Sequence, residues 1–231
     1  MKLKIVSWNI WCDGDFDGIS KFLKSSDADI IGLQEVLPDS KKIPITDFLK
    51  SLGYEYIYSG LTLTFSDGNT KEMGNAVFSK YKIIDTKIHN LSEDNNRIAV
   101  EADIKLPNGI LHVFSTHIIH SHLMKPSESQ DLQAENLLKI LPKEKVIVMG
   151  DFNATPESNV FKIMTKELSN TDQSLSPTWS MYPEGCPVCK PQKPDLRLDY
   201  IFTSKDIKTS SSKVESSKAS DHLPISVLIE I

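Results

Sequence analysis

VIVMGDFNATP, residues 146–156, is the most informative stretch of this 231-residue chain. It opens with four apolar residues, a run that is typical of a strand buried on both faces. The run passes through Gly150 into an acid, Asp151, and an amide, Asn153, and a turn follows at Pro156. The sequence therefore predicts a buried strand whose carboxyl end presents Asp151 and Asn153 to a ligand.

Other apolar segments end in the same way. LKIVSWNIW (residues 3–11) ends near Asn9, and ADIIGLQEV (residues 28–36) ends near Glu35. Carboxylate and imidazole groups also stand at the later strands or just before the last one, at His117, Asp199, Asp221 and His222. Because ligands of sheet proteins collect where strand ends meet, these residues are predicted to share one site.

Helical segments and hairpins alternate with the strands. SESQDLQAENLLKIL (residues 127–141) is the clearest amphipathic helix. The apolar stripe predicted for it consists of Leu132, Leu137, Ile140 and Leu141, with Asn136 beside Leu137. PNG (residues 107–109) predicts a hairpin turn, and Ser158 a helix N-cap. No linker divides the chain, so the sequence predicts one α/β domain over residues 1–231, with two mixed sheets packed face to face and helices outside.

The composition argues against several classes of protein. A formal net charge of −5 disfavours gripping duplex nucleic acid through a basic surface, although bound metal ions can supply positive charge that this count misses. No apolar signal segment and no run of transmembrane length is visible, so we expect a cytoplasmic protein. The three cysteines do not make a disulfide framework, and no protein partner is implied.

The kinds of side chain at the strand ends indicate the chemistry. Carboxylate and amide oxygens without cysteine suit a hard cation such as Mg²⁺ or Mn²⁺, with Glu35 as the main ligand. Histidine near carboxylates suits general acid–base catalysis. A carboxylate that orients an imidazole is a common way to fix a base, and Asp199 and His222 are the candidates for that pair.

Six short motifs follow one another along the chain: WNI (8–10), LQEV (33–36), STH (115–117), GDFN (150–153), LDYIF (198–202) and SDHLP (220–224). In this order they resemble the endonuclease/exonuclease/phosphatase superfamily, which includes DNase I. Each motif alone is weak, and the resemblance rests on all six over nearly the whole chain. It implies a DNase I-like four-layer α/β sandwich, two packed mixed β-sheets flanked by helices, and metal-dependent hydrolysis of phosphoesters.

The resemblance also implies a role for each matching residue. Glu35 and Asn9 would lie at the Mg²⁺ or Mn²⁺ ion, with Asp221 nearby. Asp151 would position or deprotonate the attacking water. Asn153 would hydrogen-bond the scissile phosphate.

The remaining matches would complete the reaction. His222, oriented by Asp199, would act as the base or stabilise the transition state, and the choice of base between His222 and Asp151 stays open. His117 would contact the phosphate or protonate the leaving oxygen. Arg97 matches an arginine that several members direct at phosphate, a use suited to its planar charged fork. The looser matches are Glu72 and Asn75.

The same motifs bear on the substrate. His117 stands where AP endonucleases usually carry tyrosine. The chain also departs from the longer WxGDxNxR signature of inositol phosphatases, because Met149 precedes Gly150 and Ala154-Thr155 follow Asn153, so that the arginine is absent. We expect a nuclease with nucleic acid as its partner, because this is the commonest role on the scaffold. The alternatives are a phosphodiesterase or phosphatase on a lipid headgroup or sugar phosphate, and a catalytically silent binding module.

Three features have more than one interpretation. THIIHSH (residues 116–122), with three histidines, is a zinc site or an exposed loop. CPVC (residues 186–189) is part of a zinc site, a redox pair or a plain proline-rich loop. Trp11 and Trp179 contact a substrate or belong to the core.

Overall fold

The computed structural model describes residues 1–12, 14–38, 44–64, 68–92, 97–121, 125, 127–179 and 195–231. The helices over these residues are α1 (Phe16–Ser26), α2 (Ile45–Ser51), α3 (Glu128–Ile140) and α4 (Asn159–Glu167). The strands are β1 (Lys2–Asn9), β2 (Ile30–Val36), β3 (Glu55–Thr64), β4 (Thr70–Ser79), β5 (Ile83–Ser92), β6 (Arg97–Leu106), β7 (Gly109–His117), β8 (Val146–Asp151), β9 (Ser169–Asn170), β10 (Asp199–Thr203), β11 (Lys208–Val214) and β12 (Ile225–Glu230).

The described strands form two six-stranded sheets. Sheet A has the order β11-β12-β1-β2-β4-β3, and sheet B has the order β5-β6-β7-β8-β10-β9. Each sheet contains one parallel pair, β1 with β2 and β7 with β8, and the other pairs are antiparallel. Both sheets are therefore mixed, as predicted.

Three apolar cores stack these elements in four layers. Because successive side chains of a strand point to opposite faces, Ile5 of β1 enters the core between the sheets, while Val6 packs in the core beneath α1 and α2. On sheet B, Val113 of β7 faces the inter-sheet core, and Phe114 joins Leu137 of α3 in the third core. The layers are helices, sheet A, sheet B and helices, which confirms the predicted four-layer α/β sandwich.

The helices are short. The longest described, α3, has 13 residues, whereas crossing a bilayer takes about 20. In the ranges that the structure describes, none of the helices is both long and apolar enough to span a membrane.

The local turn and cap predictions are confirmed. The PNG turn joins β6 to β7, with Gly109 at a φ of +130°, which side chains disfavour. Ser158 caps α4, and its Oγ accepts a hydrogen bond from Phe161 N.

The apolar stripe predicted for α3 is wrong in part. The residues that α3 buries are Gln130, Gln133, Ala134 and Leu137. Leu132 is instead 48% exposed. Gln130 Nε2 donates to Ile119 O and Asn153 O, and Gln133 Oε1 accepts from Ile119 N. Hydrophobic periodicity misplaced this face because both glutamines find backbone hydrogen-bond partners in the interior, Gln130 through its Nε2 and Gln133 through its Oε1, although Gln133 Nε2 has none among the described residues.

The topology brings the polar strand ends to one edge of the sandwich. Asn9 ends β1, and His117 and Asp151 are register partners at the ends of β7 and β8. Strands β6 and β10 run antiparallel to β7 and β8, so they begin at this edge, with Arg97 and Asp199. Residues far apart in the sequence therefore meet in one place.

Arg197 anchors the start of β10. Its side chain is buried, and its guanidinium donates to the Asp172 carboxylate, to Ser176 O and to Asp199 O. It also lies over the ring of Tyr200. A buried charge is tolerated when it is paired and hydrogen-bonded in this way. Arg197 thereby fixes the backbone that carries Asp199.

We expect Arg197→Met to lower the free energy of unfolding by about 3–5 kcal/mol, because it leaves Asp172 buried without its cation. Urea unfolding of the two proteins measures the difference. Lys213→Met is the matched control, because it breaks the exposed pair with Glu215 and should cost less than about 1 kcal/mol. Equal effects of the two substitutions would contradict the anchoring role.

Candidate active site

The predicted carboxylate–imidazole pair is in contact. His222 Nδ1 lies 2.9 Å from Asp199 Oδ2, and His222 Nε2 lies 3.6 Å from Asp151 Oδ2. Asp151 and Asp199 are each only 1% exposed, and His222 is 5% exposed. The imidazole is therefore held between two buried carboxylates, one in β10 and one in β8.

Burial and charge together set the protonation of this group. Burial alone would lower the pKa of His222, but the carboxylates of Asp199, Asp151 and Asp221 outweigh it and raise that pKa well above its ordinary value. Burial raises the pKa of Asp151 to about 7; the Asp199 charge adds to this rise, and His222 opposes it. His222 is thus held as an imidazolium beside a carboxyl that titrates near neutrality.

Asn9 links the two sheets at the site. Its Nδ2 donates to Glu35 Oε1 and to Asp151 Oδ2, each at 3.1 Å. Its Oδ1 accepts from Trp11 N at 3.1 Å. The sequence predicts Asn9 as a metal ligand, and this role stays a prediction. In the structure its amide nitrogen faces the two carboxylates and orients both.

Glu35 lies on an irregular part of β2. The register between β2 and β4 shifts between Leu33 and Val36, so two residues of β2 stand opposite Asn75. Glu35 is one of the two, and its φ of 56° lies in the left-handed region that is strained for a non-glycine residue. A bulge of this kind redirects a side chain, here toward Asn9 and the site.

Asn153 organises the region next to Asp151. Its backbone N donates to Asp151 Oδ1 at 2.8 Å, and its Nδ2 donates to Ile118 O and to His117 Nε2, each at 3.0 Å. Its Oδ1 lies 3.1 Å from His120 Nδ1. The Ile118 carbonyl fixes which end of the amide is nitrogen, so His117 Nε2 accepts and His120 Nδ1 donates.

His117 is neutral in this arrangement. Burial lowers the pKa of His117 well below its ordinary value, and the charges of Arg97 and His222 lower it further. Its Nε2 lies 3.4 Å from Asp151 Oδ2. His117 therefore lies beside Asp151, with an unprotonated nitrogen directed at Asn153.

A pocket beside Glu35 contains Arg97. The pocket is open to solvent, and its lining residues are Glu35, Leu61, Met73, Gly74, Asn75, Arg97, Ile98 and His117. The Arg97 Nε is buried, and no residue in the described ranges hydrogen-bonds to it. A permanent charge with an unpaired buried donor is unfavourable alone, and it suits an anion such as phosphate.

The two looser sequence matches separate in space. Asn75 is buried in the pocket lining, where its Nδ2 donates to Ile98 O at 3.1 Å. Glu72 is exposed on β4, outside the pocket lining, and accepts a hydrogen bond from Tyr58. The structure thus brings Asn75, and not Glu72, beside Arg97.

The sequence matches the model of the Endonuclease/Exonuclease/phosphatase family over residues 6–222. The chain belongs to this family. Members of the endonuclease/exonuclease/phosphatase family are metal-dependent hydrolases that act on phosphoester bonds. No protein with a curated description matches the chain by sequence.

Solved structures of the family share the fold. An endonuclease/exonuclease/phosphatase from Beutenbergia cavernae has a TM-score of 0.80 at 19% identity, over 100% of this chain and 72% of that one. The human Nocturnin catalytic domain with bound sulfate has a TM-score of 0.74 at 20% identity, over 99% of this chain and 93% of that one. D. rerio TDP2 complexed with single-strand DNA product has a TM-score of 0.73 at 16% identity, over 100% of this chain and 99% of that one. These similarities confirm the DNase I-like fold.

The residues present fit the divalent cation on which the family depends. The pKa of Asp221 is raised to about 6, chiefly by burial; His222 opposes this rise, and the negative charge of Glu35 adds to it. A divalent cation beside Glu35 and Asp221 would offset this repulsion with the oxygen donors that Mg²⁺ prefers. Asp151, Asp199 and His222 also lie within 4.8 Å of one another, but a protonated imidazole does not bind metal.

Sequence reasoning missed several side chains that support the site. Trp8 Nε1 donates to His222 O at 2.9 Å, and Ser220 Oγ donates to Asn9 O at 2.7 Å. Both residues lie inside the WNI and SDHLP motifs, and that position is the signal that could have found them. Gln130 supports Asn153 from α3 and gives no comparable signal.

Cys12 and Trp179 also lie at the site. Cys12 Sγ is 3.4 Å from Glu35 Oε2, and burial together with Glu35 raises the pKa of the thiol to about 12. Trp179 is 6% exposed and bridges to the backbone of His222, so of its two interpretations the structure favours the core. Trp11 is half-buried.

Part of the sequence interpretation falls outside the described residues. His122, the third histidine of THIIHSH, lies outside the residues that the structure describes, and so do Cys186 and Cys189 of CPVC. Of the described histidines in that motif, His117 and His120 both contact Asn153.

We expect Asp199→Asn to lower the pKa of His222, because it removes the carboxylate in direct contact with the ring. A pH titration of the histidine ring signals by NMR, in metal-free protein, measures the change. In the wild type, the raised pKa of His222 stabilises the folded state, fully so at pH values below 6.5, the ordinary pKa of histidine. This stabilisation is lost as the pH rises through the raised pKa that His222 has in the folded protein. The variant should show a smaller dependence of stability on pH, because only Asp151 and Asp221 then raise the pKa of His222.

The ring signals of His89 on β5 serve as the internal control for Asp199→Asn and should keep their chemical shifts at a fixed pH. An unchanged His222 titration in a folded variant would show that Asp199 does not set its charge.

Proposed function

We propose that the protein is a Mg²⁺- or Mn²⁺-dependent phosphodiesterase, most simply a nuclease, with residues 1–231 as one catalytic domain. The observation that carries the proposal is the buried line Asp199–His222–Asp151, which ends beside Asn153, His117 and the pocket of Arg97. This arrangement joins a group that activates water to groups that bind a phosphate.

Asp151 is the group that takes the proton from the attacking water. Its Oδ1 is engaged by Asn153 N, and its Oδ2 accepts from Asn9. A carboxyl whose pKa lies near neutrality is well matched to general base catalysis. His222, with a raised pKa, is a poor base and instead stabilises negative charge on the phosphoryl oxygens in the transition state.

The phosphate is bound by Arg97, Asn153 and His117. Arg97 lines the pocket and offers its charged guanidinium to the phosphoryl oxygens, and Asn153 offers the amide hydrogens that it now directs at Ile118 and His117. His117 Nε2 lies 3.4 Å from Asp151 Oδ2, so the proton that Asp151 takes from the water can pass to His117 and from there to the leaving oxygen. These contacts hold the phosphorus in line between the water and the leaving group.

The cation is held by Glu35 and Asp221, with Asn9 orienting Glu35. When bound, it supplies Lewis-acid stabilisation of the charge that develops on the phosphoryl and leaving oxygens.

Two observations bear on the substrate. A nuclease is supported by the relationship in fold to TDP2, whose structure contains a single-strand DNA product. The alternative, a phosphodiesterase or phosphatase on a lipid headgroup or sugar phosphate, is favoured by Leu61, Met73 and Ile98, which make part of the pocket apolar, and by the net charge of −5.

The purified protein should cleave one class of phosphoester in the presence of Mg²⁺ or Mn²⁺ and be inactive in EDTA. The panel comprises single-stranded and duplex DNA, RNA, bis-p-nitrophenyl phosphate, sphingomyelin and phosphomonoesters. Asp151→Asn or His222→Ala should reduce turnover by at least about a hundredfold with the fold intact, because both groups act in the transition state. Glu35→Gln should raise the metal concentration needed for half-maximal rate.

The matched control for Asp151→Asn is Asp206→Asn. Asp206 is an exposed carboxylate that follows the end of β10 distant from the site, so this variant should keep wild-type turnover. Near-normal rates in Asp151→Asn would exclude the assigned base. Activity on monoesters alone would replace the nuclease by a phosphatase, and silence on every substrate would favour a binding module.

Arg97→Met should lower kcat/KM by about tenfold to a hundredfold, because it removes a charged hydrogen-bond donor to the phosphate. Arg97→Lys retains the charge without the planar fork, and its kcat/KM should lie between those of the wild type and Arg97→Met. Inhibition by inorganic phosphate gives a second measurement, and Arg97→Met should weaken it. Equal inhibition of all three proteins would place the phosphate elsewhere.

A further inference from the structure

A second cluster of titratable side chains lies on sheet B, apart from the candidate active site. It consists of His89, Glu101, Asp103 and His112, with Lys87 at its border. The strand register explains the cluster, because Asp103 pairs with His112 and Glu101 pairs with Lys87. Glu101 lies four residues along β6 from Arg97, about 13 Å in an extended strand. The cluster is therefore separate from the catalytic groups.

Each imidazole of the cluster contacts a carboxylate. His89 Nε2 lies 2.6 Å from Glu101 Oε2, and His112 Nδ1 lies 2.6 Å from Asp103 Oδ1. His112 Nδ1 is also 3.7 Å from Glu101 Oε1. Ligand atoms of Glu101, Asp103 and His112 all lie within 4.8 Å of one another. Two nitrogen and two carboxylate donors from three adjacent strands thus share one face of the sheet.

Among the described residues, the groups that face the buried carboxylates of the cluster are two imidazoles and one ammonium. The side chains of Glu101 and Asp103 are only 4% and 11% exposed. Lys87 is the ammonium group that reaches them in the described part of the chain, at 3.6 and 3.9 Å, which is longer than a hydrogen bond. Its own side chain is 50% exposed. Each buried carboxylate therefore depends for its shortest contact on an imidazole, which is itself a zinc ligand, and not on Lys87.

We propose that His89, Glu101, Asp103 and His112 bind a structural Zn²⁺ ion. Zinc is almost always four-coordinate and tetrahedral in structural sites, and it binds imidazole nitrogen and carboxylate oxygen as well as thiolate. Imidazole distinguishes this set from the oxygen donors that suit Mg²⁺. The ion replaces the protons shared between each imidazole and its carboxylate, and Lys87 moves into solvent. The nitrogen–oxygen pairs open from 2.6 Å to about 3.3 Å, the edge of a tetrahedron with zinc-length bonds.

The ion has a structural purpose at this position. His89 belongs to β5, which is the edge strand of sheet B, and the other ligands belong to β6 and β7. An edge strand is the least secured part of a sheet. Zinc therefore ties the edge of sheet B to its interior, independently of the phosphoesterase reaction.

The experiment uses the full chain carrying Glu35→Gln, so that the catalytic cation site does not dominate metal binding. Zn²⁺ is titrated by calorimetry in two buffers of different ionisation enthalpy, and Co²⁺ is titrated by visible absorption as a probe of tetrahedral geometry. We expect one tightly bound ion per chain, proton release, an intense tetrahedral cobalt band and a rise in Tm. Mg²⁺ should not compete for the site.

Substitutions in this background identify the ligands. His112→Asn should weaken Zn²⁺ binding by at least about tenfold, a loss that even outer partners of a metal site can cause. Lys87→Met should tighten Zn²⁺ binding, because it removes the competing cation, and a half-exposed side chain is replaced without harm to the fold. His120→Asn removes an imidazole outside the cluster and should leave the cobalt titration unchanged.

Several outcomes would overturn the zinc site. These are an octahedral cobalt spectrum, Zn²⁺ binding that His112→Asn leaves unchanged, and Zn²⁺ binding that Lys87→Met leaves unchanged or weakens. The last measurement decides the question even if His112→Asn fails to fold. A cluster that stabilises the protein without any response to Zn²⁺ is an ion-pair network only, and this too would refute the proposal.

Discussion

The hydrogen bonds of Asn9 hold together the edge on which the candidate active site is built. The Asn9 amide joins Glu35 of sheet A to Asp151 of sheet B, and the neighbouring pair of His222 and Asp199 joins the same two sheets a second time. These bonds depend on the face-to-face packing of the sheets, which the apolar core between them enforces. The site is therefore a property of the interface between two sheets, and neither sheet contains it alone.

This interface also determines the electrostatics. The packed sheets exclude water from Asp151, Asp199 and Asp221, while the topology keeps the three carboxylates close together. Burial then raises the pKa of Asp151 and of Asp221, and the same carboxylates raise the pKa of His222. An imidazolium, a guanidinium and a divalent cation are the groups that such a cluster accepts, and they are also the groups that stabilise a phosphoryl transition state.

Local backbone strain occurs at the same edge. Glu35 and Asn153 have φ values of 56° and 46°, although neither is glycine. Between β7 and β8 the chains approach so closely that a Cβ on Gly150, at a φ of +152°, would collide with the carbonyl of Thr116. Residues that break local preferences at a functional site are stabilised by the packing around them. Here the surrounding strands and the Asn9 and Asn153 hydrogen bonds supply that packing.

The sequence by itself determined the elements and the chemistry. Apolar runs that stop at Asn9, Glu35 and Asp151 are local patterns, and six ordered motifs were enough to indicate the fold and the family. Tertiary structure decided what each polar group contacts. It buried Gln130 in place of Leu132, left Glu72 exposed beyond the pocket lining, and turned the nitrogen of Asn9 toward two carboxylates. Periodicity reports which residues are apolar, whereas burial of a polar group depends on hydrogen-bond partners that are distant in the sequence and become neighbours only when the sheets pack.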